Sequence, residues 1–398
     1  MSKAPIPALI VAGEASGDQH AAALAAELDR RAGVAWFGVG GDQMAAAGVE
    51  LITHARELSV LGIFELLEHL PRLYRFERRL RAEILRRRPQ FAVLVDLPGI
   101  NLRLAAFLHR NGIPAVYFIA PQLWAWRPWR VRFLRRYVRK LLCIFPFEEE
   151  WFRHRGVEVE HVGHPLVDSA RASMSREEFL RRHGLAAERP TVCLLPGSRH
   201  QEIERHLPAM LEAAATLAAR SPVQFVLVEA ATLDPARVDQ LLAPLSGTPL
   251  RSAAGARHSL TVLRESPYNA LAAADLAVVS SGTATVEGLL LGTPMVVVYR
   301  VAAPSWWAGK LLVRTPHYSM VNLIAGRRLV PELIQSEFTP QRLVAEMERL
   351  LSDKEARERI QTELKGLGQR LGPPGAIPRA ARAVAAAVGL TGEFEDRG

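Results

Sequence analysis

Apolar residues in this chain fall in short uninterrupted runs, separated by longer stretches in which they recur every three or four positions. In the first half the runs are 8–12, 34–39, 91–96, 114–119 and 141–145. Runs of this length without polar alternation predict strands buried on both faces. The periodic stretches between them, 18–30, 63–87, 101–111 and 129–138, predict helices. The series restarts near residue 190. TVCLL, QFVLVEA, DLAVVSS and PMVVVYR read as strands, and 200–219, 267–274 and TVEGLLLG as helices. Strand–helix alternation predicts parallel sheets covered by helices. Two such series predict an α/β protein of two doubly wound domains facing a cleft, 1–170 and 190–340, joined through the polar stretch 169–190. A third segment, 341–398, reads as helical with a break at GPPGAIP.

Composition narrows the class. A chain of 398 residues with 49% hydrophobic and 23% charged residues suits two globular domains. Cys143 and Cys193 each lie inside an apolar run, which predicts buried thiols in a reducing compartment. The apolar start IPALIVA ends at Gly13-Glu14 without a cleavage pattern. No stretch approaches the ~18 apolar residues of a membrane span. The expectation is a cytoplasmic protein. Its net charge of +9 is uneven, because residues 72–140 hold 17 basic and 3 acidic residues. A patch of this kind serves a solvated helix face, nucleic acid, an anionic membrane surface or a phosphorylated ligand.

In doubly wound sheets, ligands bind beyond the carboxyl ends of the strands, so the chemistry is sought in the strand-end turns. In LLPGSRH a strand stops at Leu195 and turns through Gly197 and Ser198 into a helix that opens with Arg199. The glycine admits close backbone approach, and the guanidinium can fork onto phosphate oxygens. In SSGTATVEG, Ser281, Gly282 and Thr283 stand at a helix start, and Glu287 can accept hydrogen bonds from ribose hydroxyls. Together these turns predict a nucleoside diphosphate site. No Walker loop occurs, and GVGGD at 38–42 is a poor dinucleotide fingerprint. A sugar nucleotide therefore fits better than ATP or NAD. The first turn, VAGEASGD, has the same shape but carries Glu14 and Asp18, which would repel phosphate.

GEASGD, PQLWAWRPWR, VGHPLVD, LPGSR, SSGTATVEG and NLIAGRRLVPELIQ, in this order along a stretch from residue 8 to about 350, resemble the lipid-A-disaccharide synthase family. The resemblance implies inverting glycosyltransferases with two Rossmann-like domains of the GT-B type. It implies transfer of 2,3-diacylglucosamine from its UDP derivative to 2,3-diacylglucosamine 1-phosphate in lipid A and lipopolysaccharide biosynthesis. UDP would occupy the second domain, at Gly197, Ser198, Arg199, Ser281, Gly282, Thr283, Glu287 and Asn322. The first domain would take the sugars, whose hydroxyls and amines suit the acidic turn of Glu14 and Asp18. Ser16, also a candidate helix N-cap, Asn101, Trp124 and His164 would lie on the acceptor side. Asp96, at the end of FAVLVD, is the candidate base for the acceptor 6-hydroxyl, with Glu14 and Asp18 as alternatives. A carboxylate after a buried strand loses solvation, which favours basicity. The family pattern D-x-P-D-F-N reads DLPGIN here, so Gly99 and Ile100 depart from it while Asn101 is kept. No cofactor and no catalytic metal are expected. The resemblance also implies a homodimer, with 341–398 packed back on the first domain or exchanged between subunits.

The acylated substrates bear on the segment 58–88, which begins apolar at Val60, Leu61, Ile63, Phe64, Leu66, Leu67 and Leu70 and becomes arginine-rich. That pattern suits peripheral attachment to the anionic inner membrane, or else a buried helix. Trp124, Trp126 and Trp129 among arginines suit a membrane interface, a sugar platform or single-stranded nucleic acid. The expectation is no nucleic-acid partner. Two alternatives remain: another UDP-sugar enzyme, such as an epimerase or a peptidoglycan-type N-acetylglucosaminyltransferase, and a basic RNA-binding protein. The first would not need the apolar segment, and the second would not need Glu287 or the acidic turn.

Overall fold

The computed structural model describes residues 4–57, 66–245, 250, 259–313, 315–391 and 394. For residues 15, 66–73, 305, 308, 311 and 312 it describes the backbone alone. The contacts divide the chain into unit 1, residues 1–167, 309–314 and 371–398, and unit 2, residues 168–308 and 315–370.

Unit 1 is built on β1 (Ile6–Val11), β2 (Val34–Gly40), β3 (Glu50–His54), β4 (Phe91–Val95), β5 (Ala115–Phe118), β6 (Lys140–Cys143) and β7 (Val159–His161). Their order is β3-β2-β1-β4-β5-β6-β7, and every neighbouring pair is parallel. Every side chain from Ala8 to Val11 and from Phe91 to Val95 is buried, as required of strands covered on both faces. The helix Ala15–Ala32 follows β1 and stops at Gly33, whose φ of 64° lets its N–H return to the Asp29 carbonyl. On the helix Leu66–Arg87, Phe76, Leu80 and Ile84 face the core at i, i+4 spacing. Tyr74, Arg75, Arg78, Arg79 and Leu85 are exposed. The expected apolar surface at 58–70 cannot be placed, because 58–65 and the side chains of 66–70 lie outside the described residues.

Unit 2 repeats the plan with β8 (Thr191–Leu195), β9 (Gln224–Val228), β10 (Leu260–Leu263), β11 (Leu276–Ser280), β12 (Met295–Tyr299) and β13 (Glu332–Ile334). The order is β10-β9-β8-β11-β12-β13, again all parallel. Both sheets therefore reverse direction of travel once, between β1 and β4 and between β8 and β11. These are the topological switch points where such folds open a crevice for ligand.

Of the C-terminal helices, Pro340–Ser352 and Lys354–Gln369 belong to unit 2, and Ala376–Val388 belongs to unit 1, against the helix Ala15–Ala32. Arg379 ties this last helix down, donating from Nε to the Val162 carbonyl at 2.9 Å. Cys143 and Cys193 are buried free thiols. Among the described residues no helix is long and apolar enough to cross a membrane.

Candidate active site

The first turn at the switch point of unit 1 runs from β1 through Gly13 and Glu14. Gly13 is required by its neighbour: a β-carbon there would lie 2.6 Å from Cδ1 of Leu97, which belongs to the turn after β4. The two turns are thus packed on each other. Glu14, exposed, stands at the N-cap, and Ser16 is the second residue of the helix, so Ser16 does not cap it as the sequence suggested. Asp18 is buried and accepts the backbone N–H groups of Gly41 (2.6 Å), Gln43 (3.0 Å) and Met44 (3.2 Å). Its carboxylate caps the short helix Asp42–Ala46, which gives GVGGD a structural purpose. Gly41 must be small there, since a β-carbon would lie 2.6 Å from the Asp18 carboxylate.

Asp96 follows β4 at half burial. Its φ is +46° and that of Leu97 is +48°, the left-handed region that non-glycine residues rarely enter. The Asp96 carbonyl accepts the Asn101 amide at 2.8 Å and the Tyr117 hydroxyl. Asn101 is fully buried and also donates to the Val95 carbonyl at 3.1 Å.

Beyond β5 and β6 the structure assembles a ring cluster. The Trp124 indole donates to Glu148 at 3.1 Å and meets Phe147 edge-on at 5.1 Å. Phe147 stacks on Phe145 at 5.8 Å, Phe145 meets His164 at 5.1 Å, and His164 meets His20 at 6.4 Å. Burial lowers His20 to about 4 and, with the nearby His20 and His161, His164 to about 3, so both rings are neutral near pH 7. The Nδ1 of His164 accepts the Leu166 N–H at 3.1 Å. Glu148 is the residue the sequence reading passed over. Burial raises its carboxyl to about 8 despite the Trp124 and Phe145 hydrogen bonds that favour the anion. The available signal was FPFEEE, in which Pro146 opens a helix and Glu148, at its third position, caps it.

In unit 2 the turn after β8 carries Gly197 at φ +129°, where a β-carbon would also run into the Glu202 side chain. Glu202 accepts the Ser198 N–H and the Arg199 guanidinium, each at 3.0 Å, and the Arg199 side chain remains 60% exposed. The turn is braced from behind. Thr232 donates to the Ser198 carbonyl at 2.7 Å. His206, lowered by burial, lies 2.8 Å from the Pro196 carbonyl through Nδ1 and accepts the Arg300 N–H at 2.9 Å through Nε2. That pattern needs the neutral Nδ1–H tautomer.

Just beyond the adjacent strand β11, Ser281 donates its hydroxyl to the Tyr318 carbonyl at 2.8 Å. Gly282 and Thr283, both exposed, begin the helix Thr283–Leu291. Glu287 is its fifth residue, half-buried, and accepts no hydrogen bond from any described residue. Burial raises its carboxyl to about 7. Asn322 is fully buried and spends its side chain on its surroundings. It donates to the Val330 carbonyl and Glu332, each at 2.9 Å, and accepts from Leu329 (2.8 Å) and Val330 (3.0 Å). Glu332 in turn accepts the Tyr318 and Ser319 N–H groups. Asn322 thus braces the loop on which Ser281 rests.

The two switch points therefore differ in chemistry: acids stand at that of unit 1, and an arginine, small hydroxyl residues and a carboxylate to which no described residue donates a hydrogen bond stand at that of unit 2. The sequence-family profile described as Lipid-A-disaccharide synthetase matches residues 8–373. The lipid-A-disaccharide synthase of Solibacter usitatus is 45% identical over 378 residues, covering 94% of this chain and 96% of that one. The enzyme of that name from Myxococcus xanthus is 43% identical over 378 residues, with the same coverage. Among solved structures, an S. aureus MnaA–UDP complex superposes with a TM-score of 0.66 at 10% identity, covering 97% of this chain and 98% of that one. The calicheamicin glycosyltransferase CalG4 reaches 0.59 at 18% identity, covering 97% and 99%. At such identities these two likenesses speak for the fold, and the relatives speak for the family: the chain belongs to the lipid-A-disaccharide synthase family of UDP-sugar glycosyltransferases.

Proposed function

We propose that the chain transfers 2,3-diacylglucosamine from its UDP derivative to the 6-hydroxyl of 2,3-diacylglucosamine 1-phosphate. The products are the β-1′,6-linked disaccharide 1-phosphate and UDP. The observation that carries the nucleotide assignment is Glu287, a half-buried carboxylate with no hydrogen bond to a described residue, one strand away from Arg199. Ribose hydroxyls supply the donors it lacks. Diphosphate is met by Arg199 and by the N–H groups at the start of the helix Thr283–Leu291, with Glu202 giving up its hold on Ser198 and Arg199.

In this reading Asp96 accepts the proton of the 6-hydroxyl as that oxygen attacks the anomeric carbon. The bond from that carbon to the β-phosphate oxygen breaks, and its electron pair leaves with UDP. Attack from the opposite face inverts the centre to β. Glu14, Ser16, Trp124 and His164 serve the sugar side. Asp18 and Asn101 act through the turns they brace. Both substrates carry two acyl chains, so the reading includes peripheral attachment to an anionic bilayer. The exposed Tyr74, Arg75, Arg78, Arg79 and Leu85 support it. A homodimer follows from the family resemblance, and sedimentation of the full chain tests it.

The deciding experiment incubates the purified chain with both substrates in mixed micelles and follows disaccharide by mass and UDP by release. One UDP per disaccharide, and none without acceptor, is the expected result. UDP release without acceptor, or epimerised donor without disaccharide, would replace this reading.

A further inference from the structure

The turn that carries Asp96 is held in a conformation its residues do not favour. Asp96 and Leu97 are successive non-glycine residues at φ +46° and +48°, a left-handed conformation that costs free energy at each such residue. Three contacts oppose that cost. The Tyr117 hydroxyl, on β5, donates to the Asp96 carbonyl. The Asn101 amide, on the helix Pro98–Arg110, donates to the same carbonyl at 2.8 Å and to that of Val95 at 3.1 Å. The Leu97 side chain lies over Gly13, where no β-carbon would fit. Tyr117 and Asn101 are both fully buried. A tyrosine hydroxyl at 0% exposure is costly unless it is bonded, and here its partner is the backbone of the candidate base.

We propose that Tyr117 and Asn101 are positioning residues, which clamp the Asp96 carbonyl and so fix the direction of its carboxylate. Neither needs to touch substrate. The clamp rests on the reading of Asp96 as the general base.

Tyr117→Phe keeps the ring and removes the donor. A carboxylate released from its aim lowers kcat by about tenfold, while both KM values and UDP affinity change by less than about twofold. The discriminating measurement repeats Tyr117→Phe in an Asp96→Asn background with a radiolabelled donor. With no carboxylate to aim, the second substitution costs less than about twofold. Asn101→Ser is read the same way, with the thermal transition and UDP affinity confirming a folded protein. An equal loss from Tyr117→Phe in both backgrounds shows a general structural role and overturns the clamp, as does an unchanged kcat in the wild-type background. Wild-type turnover by Asp96→Asn alone removes the base itself. That outcome identifies the failure as one of the underlying reading.

Discussion

Units 1 and 2 share one strand order and place their functional turns at the same point of it, yet the two points have opposite chemistry. After β1 and β4, unit 1 carries the exposed Glu14 and the half-buried Asp96, with Asp18 buried behind them on the N–H groups of Gly41, Gln43 and Met44, and the second turn is held in left-handed backbone. After β8 and β11, unit 2 presents Arg199, a run of small hydroxyl residues and the helix start at Thr283. The switch point settles where a ligand meets each sheet. It does not settle which ligand. In the proposed reading, a turn shaped for phosphate becomes a turn for sugar when its cations are replaced by acids, because carboxylates accept from hydroxyls and repel phosphate. The same contrast appears behind the turns. Tyr117 and Asn101 brace a carboxylate in unit 1, whereas Glu202, Thr232 and His206 brace an arginine-bearing loop in unit 2.

The largest expected effect breaks the comparison on the side of chemistry. Asp96→Asn keeps the shape of the side chain and removes its ability to take a proton. Loss of a general base lowers kcat by about 10²–10⁴, while UDP affinity, which the proposed function assigns to unit 2, is unchanged. Steady-state turnover paired with calorimetric UDP titration checks both halves. Near-normal turnover would move the base to Glu14.

The second effect falls on binding. Arg199→Ala weakens UDP by about 10–150-fold, the range for a lost charge-assisted hydrogen bond of ~1.5–3 kcal/mol. The mirror experiment is Glu14→Ala, which leaves UDP affinity within about twofold if the acidic turn faces sugar. Equal losses from both would mean that the two turns do not divide the ligand as their charges suggest.

Much of this division was legible in the sequence, and the part that was not has a common cause. The central strands announce themselves through PALIV, FAVLV, TVCLL and LAVVS, because a parallel strand buried on both faces has no polar positions to spare. The four strands the sequence did not suggest, Glu50–His54, Val159–His161, Leu260–Leu263 and Glu332–Ile334, are the four edges of the two sheets. They are three to five residues long, pair on one side only, and three of them carry glutamate. Little apolar signal is left in such a segment. The turns were legible for a similar reason: glycine and small residues between a strand and a helix have a local cause. The braces were not. Tyr117 acts on Asp96 from 21 residues away, Glu148 on Trp124 from 24, and His206 on Arg300 from 94. Nothing local distinguishes them from an ordinary strand tyrosine, helix glutamate or buried histidine.

The third effect sharpens the unit 2 side through pH. Glu287 has its carboxyl raised to about 7 by burial. Without ligand the folded state holds this proton more tightly than the unfolded chain does. Unit 2 therefore loses stability as pH rises from the ordinary glutamate range through about 7. Ribose hydroxyls reverse the preference, since they donate to the anion. Affinity for a UDP-sugar, whose phosphates do not titrate in this range, should tighten by about tenfold between pH 6 and pH 8. Glu287→Gln should bind more weakly and with a flat profile. A slope that survives in Glu287→Gln belongs to another group and removes Glu287 from the ribose.

The smallest effect asks whether the units also differ in the surface they offer to a bilayer. Arg79 is exposed on the helix Leu66–Arg87 of unit 1, beside the exposed Tyr74 and Arg75. Arg342 of unit 2, 55% exposed, is paired with Glu337 at 3.2 Å. A basic residue near an anionic leaflet contributes about 1 kcal/mol, or about fivefold in partitioning. Salt screens that contribution over a Debye length of about 10 Å, whereas apolar contact is not screened. Flotation with phosphatidylglycerol-containing vesicles should therefore fall about fivefold for Arg79→Ala at low salt and less at high salt. Arg342→Ala should float as wild type does. Because Arg79 is exposed, its substitution leaves the thermal transition in place, and a weaker partition cannot be blamed on unfolding. Equal losses from the two variants would indicate attraction by net charge rather than by a face of unit 1. Wild-type protein that fails to float at low salt would show that the acyl chains reach the enzyme from micelles or carriers, and the membrane part of the reading would fall while the transfer chemistry stood.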